Sequence, residues 1–298
     1  MSLAAEKPEV RRRRGRSARA GGPRYPGWLS LPAVSWYFLF FLGPLVIMAV
    51  YSFAEVSGFT GVAFTWKLDN YRYLWDPLYG TIFKRTLWLS LLGTTLCLLV
   101  GFPFAYYLAR YSTRKTLLLM LVIVPFWTSF LIRTYSWLII LDPDFWLMRA
   151  LRSIGIGHGG TILYTPNAIY LGVLYNYLPL MILPVYAALE RMDWSLVDAA
   201  QDLGDGPFRA FRRVTLPLVA PGIVAGSLLV FIPLTGEYLI PVILGGDKTV
   251  YAGQLIAQQF LEARDWPFGS AIAMVVIGAL TVALLVYTRA AGKQEQYG

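Results

Sequence analysis

The chain has 298 residues, of which 57% are hydrophobic and 14% charged, with a formal net charge of +9 and a mean hydropathy of +0.54. No water-soluble domain of this length could bury so much apolar surface in one core, so a soluble globular fold is excluded and the excess must face lipid. One cysteine, Cys97, and one histidine, His158, exclude an intramolecular disulfide and leave no metal-ligand set, so neither residue is assigned any chemistry.

Crossing about 30 Å of hydrocarbon takes roughly 20 helical residues, and a bilayer tolerates only helices or closed barrels because backbone polar groups cannot be left unpaired in lipid. The apolar runs here are long and continuous, which predicts an all-α integral membrane protein with six transmembrane helices near 31–53, 86–109, 117–141, 166–189, 218–242 and 267–287. Arg133 interrupts the third, and Pro179 and Pro184 the fourth.

Residues 1–27 precede the first span as a basic tail, read as disordered and cytoplasmic. Four consecutive arginines at 11–14 suit anionic lipid headgroups, at roughly 1 kcal/mol per basic residue near the surface, better than nucleic acid. The first apolar run is longer than a signal-peptide core and no small-residue cleavage site follows it, so it is expected to stay attached. Seventeen Lys and Arg fall on the side of both termini and eight on the other, which predicts cytoplasmic termini.

Residues 28–298 then read as one transmembrane domain. Its outer segments run over 55–85, where aromatics and both charge signs suggest packing against the helices, over 142–165, with Gly155, Gly157, Gly159 and Gly160, and over 243–266. No internal repeat is visible, which argues against a secondary transporter built of inverted halves.

The informative inner connection is 190–217. Ser195 and Asp198 have capping-box spacing, predicting a helix from Leu196 with Leu196, Ala199, Ala200 and Leu203 on one face. Gly204 would end it in the left-handed conformation. Pro207 would start a second helix, with Phe208, Phe211 and Val214 on an apolar face and Arg209, Arg212 and Arg213 opposite, closed by Pro217. A short capped helix with an apolar stripe suits either a partner's groove or the membrane surface.

The pattern Asp198-Ala199-Ala200-x3-Gly204-x9-Val214-x-Leu216-Pro217 resembles the EAA loop of ABC importer permeases, with Asp for Glu and Val for Ile. The resemblance implies that these residues form the coupling contact with a cytoplasmic ABC ATPase. The stretch from Pro125 to Trp137, and the closing stretches at Leu244-Gly245-Gly246 and from Arg264 to Ala271, are similar to the first of the two paired membrane subunits of spermidine/putrescine permeases. The family likeness implies a type I importer core from the last five helices, with the first alongside. It also implies a second permease subunit, usually unequal though a homodimer stays open, and an extracytoplasmic solute-binding protein. ATP and Mg would sit on the partner ATPase, with no cofactor or catalytic residue on this chain, in a bacterial inner membrane. Polyamine is the implied cargo, with amino-acid derivatives or other small charged solutes as the alternative.

Ionisable groups inside spans cost about 2.5 to 3.5 kcal/mol at a helix centre, so each asks for a partner or a task. Arg133 and Glu237 either neutralise one another or, with Glu237 on the path, meet a cationic substrate. Tyr238, Trp127 and Trp137 would then offer cation-attracting ring faces, and Asn176 and Tyr177 are further path candidates. Pro233 and Gly236 should disturb the helix beside Glu237. Gly222 and Gly226 should let two helices approach closely. The stretch Gly245-Gly246-Asp247-Lys248-Thr249 fails the phosphate-loop spacing, and no hydrolase elbow or zinc motif is visible. A stand-alone secondary transporter remains the rival reading, against which the 190–217 loop argues.

Overall fold

The computed structural model describes residues 31–58, 61–153, 161–246 and 248–294. The basic tail with its 11–14 arginines, the loop glycines with His158, and Asp247 lie outside the described residues. The fold divides into two units, 1–46 and 47–298.

In the first unit, α1 (Leu31–Tyr37) passes through a π-turn (Phe38–Leu42) into α2 (Gly43–Tyr51). The turn is local: Gly43 N–H reaches Phe38 O, one residue further back than in an α-helix. Along it Trp36 packs on Phe40 and Tyr37 on Phe41.

In the second unit, a two-stranded exception to the all-helical expectation follows α2: β1 (Glu55–Ser57) pairs antiparallel with β2 (Gly61–Ala63), Val56 facing Val62. Beside it come α3 (Asp69–Tyr73) and the 34-residue α4 (Pro77–Arg110), which Asp76 caps by accepting from Leu78 N at 2.8 Å. The segment 55–85 does pack on the helices, through Phe64 against Tyr51 and Tyr79 against Phe268. Lys67 and Glu55 form an ion pair at 2.9 Å on this hairpin, which holds the Glu55 carboxyl below its usual range.

The third predicted span is not one helix. α5 (Lys115–Ile123) runs into a 3-10 turn (Val124–Trp127), and α6 (Phe130–Ile140) leaves at 95° to it. Thr128 and Ser129 are extended at the corner. The cause is Pro125, which has no N–H to continue the ladder, while Thr128 Oγ1 takes up the Pro125 carbonyl at 2.7 Å. Arg133, expected to be the interruption, lies inside α6. After α7 (Trp146–Ser153), α8 (Pro166–Glu190) is continuous despite Pro179 and Pro184.

α8 is the central element, packed on both α4 and α11. Its buried side chains Ile169, Val173, Met181, Ile182, Val185 and Leu189 meet Leu89 and Cys97 of α4 and Val230 and Leu234 of α11. Close approach is set by glycine: Gly222 faces the Pro184 carbonyl and Ala188, and Gly226 faces Met181, as the Gly-x-x-x-Gly spacing predicts.

α9 (Ser195–Asp202) and α10 (Pro207–Ala210) precede a second π-turn (Phe211–Thr215) that flows directly into α11 (Leu216–Thr235). Pro217 therefore closes nothing; it occupies the second position of α11, where its missing N–H disrupts least. The fifth predicted span instead stops at Thr235, and α12 (Leu239–Gly245) begins after a three-residue break. α13 (Ala252–Leu261) and α14 (Trp266–Gln294) complete the chain. Five of these helical stretches are long and apolar enough to cross a membrane, and the bent α5–α6 pair makes a sixth.

Candidate functional site

Two constellations hold the predicted residues. The first is the 190–217 loop. α9 is capped not by Ser195, whose side chain makes no cap bond, but by Asp193, which accepts from Ser195 N at 3.0 Å. The Ser195 hydroxyl, and after it this backbone bond, keep the Asp193 carboxyl below its usual range. Val197 is buried and Ala200 half-buried, whereas Leu196 and Ala199 are exposed and Leu203 is 90% exposed. The expected apolar face therefore splits: one edge seats α9 on the bundle and the other points outward.

Gly204 has φ +95°, the left-handed value that ends α9. Its N–H reaches Gln201 O at 2.9 Å, and Asp205 N–H reaches Ala200 O at 3.1 Å. Asp205 is held by Arg213 at 3.1 Å. Phe208 is 76% exposed, while Phe211 turns inward against Phe102 and Tyr106. Val214 is half-buried against the core, and Leu216 and Pro217 are exposed.

Asp198, expected in a capping box, reaches across to α4 instead: Arg110 Nη2 donates to its Oδ1 at 3.0 Å. The same guanidinium lies over the Trp194 ring at 4.8 Å. Lys115 and Glu190 form a second tie at 3.1 Å. Sequence reading counts Arg110 only as a topology charge; its place at the last turn of α4, opposite the loop, is the signal it misses.

The second constellation lies at the α11–α12 break. Pro233 and Gly236 end α11 as expected, and Glu237 is 8% exposed. Its Oε1 accepts from Leu239 N at 2.9 Å and Ile240 N at 3.3 Å, capping α12. Its Oε2 accepts from Tyr177 OH of α8 at 2.5 Å. The carbonyls freed at Gly236 and Glu237 pack directly on Gly253.

Arg133 does not pair with Glu237: the carboxylate is committed to Tyr177 and the α12 backbone, and Arg133 makes no ion pair among the described residues. Its guanidinium lies over Phe126 at 4.8 Å and Phe130 at 5.8 Å, with Nε buried and unbonded. Asn176 donates to Gly172 O at 2.9 Å and lies 3.4 Å from Thr134 Oγ1, and its Oδ1 is buried without a partner. Trp137 packs edge-on against Tyr175. The structure brings Tyr177 and Glu237 together and sets Asn176 against Gly172 and Thr134, while Trp127 is 82% exposed and Tyr238 39% exposed.

A helical bundle whose long helices are apolar enough to cross a membrane, with a broken span and a buried carboxylate at the break, has the build of a membrane protein. Residues 98–292 match the family described as binding-protein-dependent transport system inner membrane component, and the chain belongs to that family: it is a multi-pass inner-membrane permease. Its relatives are permeases of the resemblance noted in the sequence. It is 39% identical over 259 residues to the spermidine/putrescine transport system permease protein PotB of Escherichia coli strain K12, covering 86% of this chain and 94% of that one. It is 40% identical over 258 residues to the protein of the same name from Haemophilus influenzae, covering 86% and 90%. The inner membrane ABC transporter permease protein YdcU of Escherichia coli strain K12 is 32% identical over 264 residues, 84% of each chain. In fold, it superposes on a chain of the crystal structure of a bacterial ABC transporter involved in the import of the acidic polysaccharide alginate, with TM-score 0.72, 16% identity, and 90% and 96% of the two chains covered.

Proposed function

We propose that this chain forms half of the membrane path of an importer that carries polyamines, spermidine and putrescine foremost, into the cytoplasm. The observation that carries this reading is identity of about two residues in five with spermidine/putrescine permeases over nearly their whole length. In this reading ATP and Mg are bound by a partner ABC ATPase, a second and unequal permease subunit completes the path, and a periplasmic binding protein delivers the solute. A chain of similar fold belongs to a transporter solved in complex with a solute-bound periplasmic protein. Both termini lie in the cytoplasm, beside anionic lipid.

The 190–217 loop then is the coupling element. Asp198, Ala199, Ala200, Gly204, Val214, Leu216 and Pro217 shape it, and the outward apolar edge of Leu196, Ala199, Leu203 and Phe208 enters the ATPase groove. On the path, Glu237 supplies a buried carboxylate at a helix break, with Tyr177 bonded to it, Tyr238 next to it in sequence and Asn176 beside Tyr177 on α8. Trp127, Arg133 and Trp137 stand on the bent α5–α6 segment and its continuation. A cationic amine attracted to that carboxylate would compete with the Tyr177 hydroxyl for Oε2.

The test is ATP-dependent uptake of radiolabelled spermidine into proteoliposomes holding the full complex, with Glu237→Gln beside the parent. Uptake by the parent, and its loss in a variant that still assembles with the ATPase, is the expected result. If another solute on the binding protein stimulates hydrolysis while spermidine never enters, the polyamine assignment falls and the importer class stands. Uptake by this chain reconstituted alone would return the secondary-transporter reading.

A further inference from the structure

α4 is tied to both constellations by polar contacts, at its last turn and again well inside the helix. At its last turn Arg110 donates to Asp198 and stacks on Trp194. Around that ion pair Trp194 meets Tyr106 edge-on at 5.6 Å, and Phe211 closes on Phe102 at 5.6 Å and on Tyr106 at 6.1 Å. The pair is thus braced by rings from α4, from the residue before α9 and from the π-turn. Such bracing sets it apart from a surface ion pair between two free side chains.

Twenty residues back along α4, about 30 Å at 1.5 Å per residue, Thr235 Oγ1 lies 3.2 Å from Ser90 Oγ. One turn further, Thr86 Oγ1 accepts from Ala252 N at 2.8 Å. Thr235 is the last residue of α11 before the Glu237 break, and Ala252 opens α13. Between them Gly93 lets Leu234 and Val173 approach so closely that a methyl there would overlap both.

We infer that α4 is the rod that carries movement of the 190–217 loop to the Glu237 break, with Arg110 the positioning residue that engages it through Asp198. This rests on the reading of 190–217 as the ATPase-coupling loop. Asp198 then has one carboxylate oxygen on Arg110 while the rest of its side chain stays exposed beside the apolar edge of α9 that meets the partner. Displacing α9 pulls Arg110; α4, one continuous helix from Pro77 to Arg110 although Pro103 leaves a gap in its ladder, shifts Ser90 and Thr86 against Thr235 and Ala252, which loads the break.

The experiment uses the complete transporter in proteoliposomes, measuring spermidine taken up per ATP hydrolysed for the parent, Arg110→Met, Arg110→Asp, Asp198→Arg and the swap Arg110→Asp/Asp198→Arg. Each is also built with Tyr238→Cys, whose maleimide labelling with and without ATP reports the break; buried Cys97 serves as the blank. Arg110→Met should lower the uptake-to-hydrolysis ratio by about tenfold and abolish the ATP-dependent change in labelling, with the ATPase still co-purifying. The swap should restore most of both. An unchanged ratio and unchanged labelling in Arg110→Met overturns the inference, as does a swap no better than its parts. Loss of ATPase co-purification in Arg110→Met also overturns it, by making Arg110 a docking residue while the loop reading stands. Separately, Leu203→Asp that still holds the ATPase would remove the loop reading itself.

Discussion

Tyr177 on α8 donates a 2.5 Å hydrogen bond to Glu237, sixty residues away at the break between α11 and α12. Both are buried in the bundle, so the bond fixes where the broken span lies against the central helix. Tyr177→Phe keeps the ring's packing against Phe130 and deletes only the donor. A hydrogen bond of this kind contributes about 1 to 3 kcal/mol, and the variant should unfold a few degrees earlier in detergent. An unchanged Tm would mean that the pair holds nothing.

Glu237 has a second task that separates its variants. Its Oε1 accepts from Leu239 and Ile240 N–H, a role that glutamine can keep and alanine cannot. Glu237→Ala leaves both donors without their acceptor in a buried site and should be less stable than Glu237→Gln by about 1 to 3 kcal/mol. Thermal unfolding of the two purified variants side by side measures the difference. Equal Tm values would show that the cap is dispensable, leaving charge as the residue's only contribution.

Six apolar runs are legible in the sequence because lipid imposes length and hydropathy on each one. The break at Glu237 is legible too, because Pro233 and Gly236 both oppose a continuing helix. What periodicity misses is polar pairing between distant elements. Of the two partners weighed for Glu237, Arg133 is not taken: a tyrosine from α8 and its own following helix hold the carboxylate. Asp198 has capping-box spacing from Ser195, yet Asp193 caps α9 and Asp198 turns to Arg110. For Asp198 a nearer residue satisfies the local rule and frees the side chain for a contact 88 residues away, whereas Glu237 caps α12 with one oxygen and meets Tyr177, 60 residues away, with the other. The 95° corner at Thr128–Ser129 follows from Pro125, whose effect is masked by the unbroken apolar run around it.

Gly253 faces the carbonyl oxygens of Gly236 and Glu237, so any side chain there must push the break apart. These are backbone atoms at a helix end, with little freedom to yield. Gly253→Ala should cost about 1 to 3 kcal/mol from overpacking and lower the yield of folded protein. Gly278 in α14 has open space where its methyl would go, and Gly278→Ala should be neutral or gain up to about 1 kcal/mol. Comparing the two by fluorescence size-exclusion after heating checks the contact directly. Equal losses would point to a general intolerance of the larger residue.

Gly204 and Gly206 bracket the turn between α9 and α10 and differ in conformation. Gly204 has φ +95°, a region L residues avoid, whereas Gly206 has φ −67° and ψ 162°, open to any residue. Neither has a neighbour within 4 Å of an added methyl, so sterics with the rest of the chain do not separate them. Gly204→Ala should therefore cost roughly 1 to 2 kcal/mol of local backbone strain, and Gly206→Ala close to nothing. Because the strain falls on the turn that ends α9, its effect should show as faster proteolysis within 190–217 and weaker co-purification of the ATPase, with the bundle's Tm nearly unmoved. If Gly206→Ala proves the more damaging of the two, the left-handed turn is not what shapes the loop for its partner.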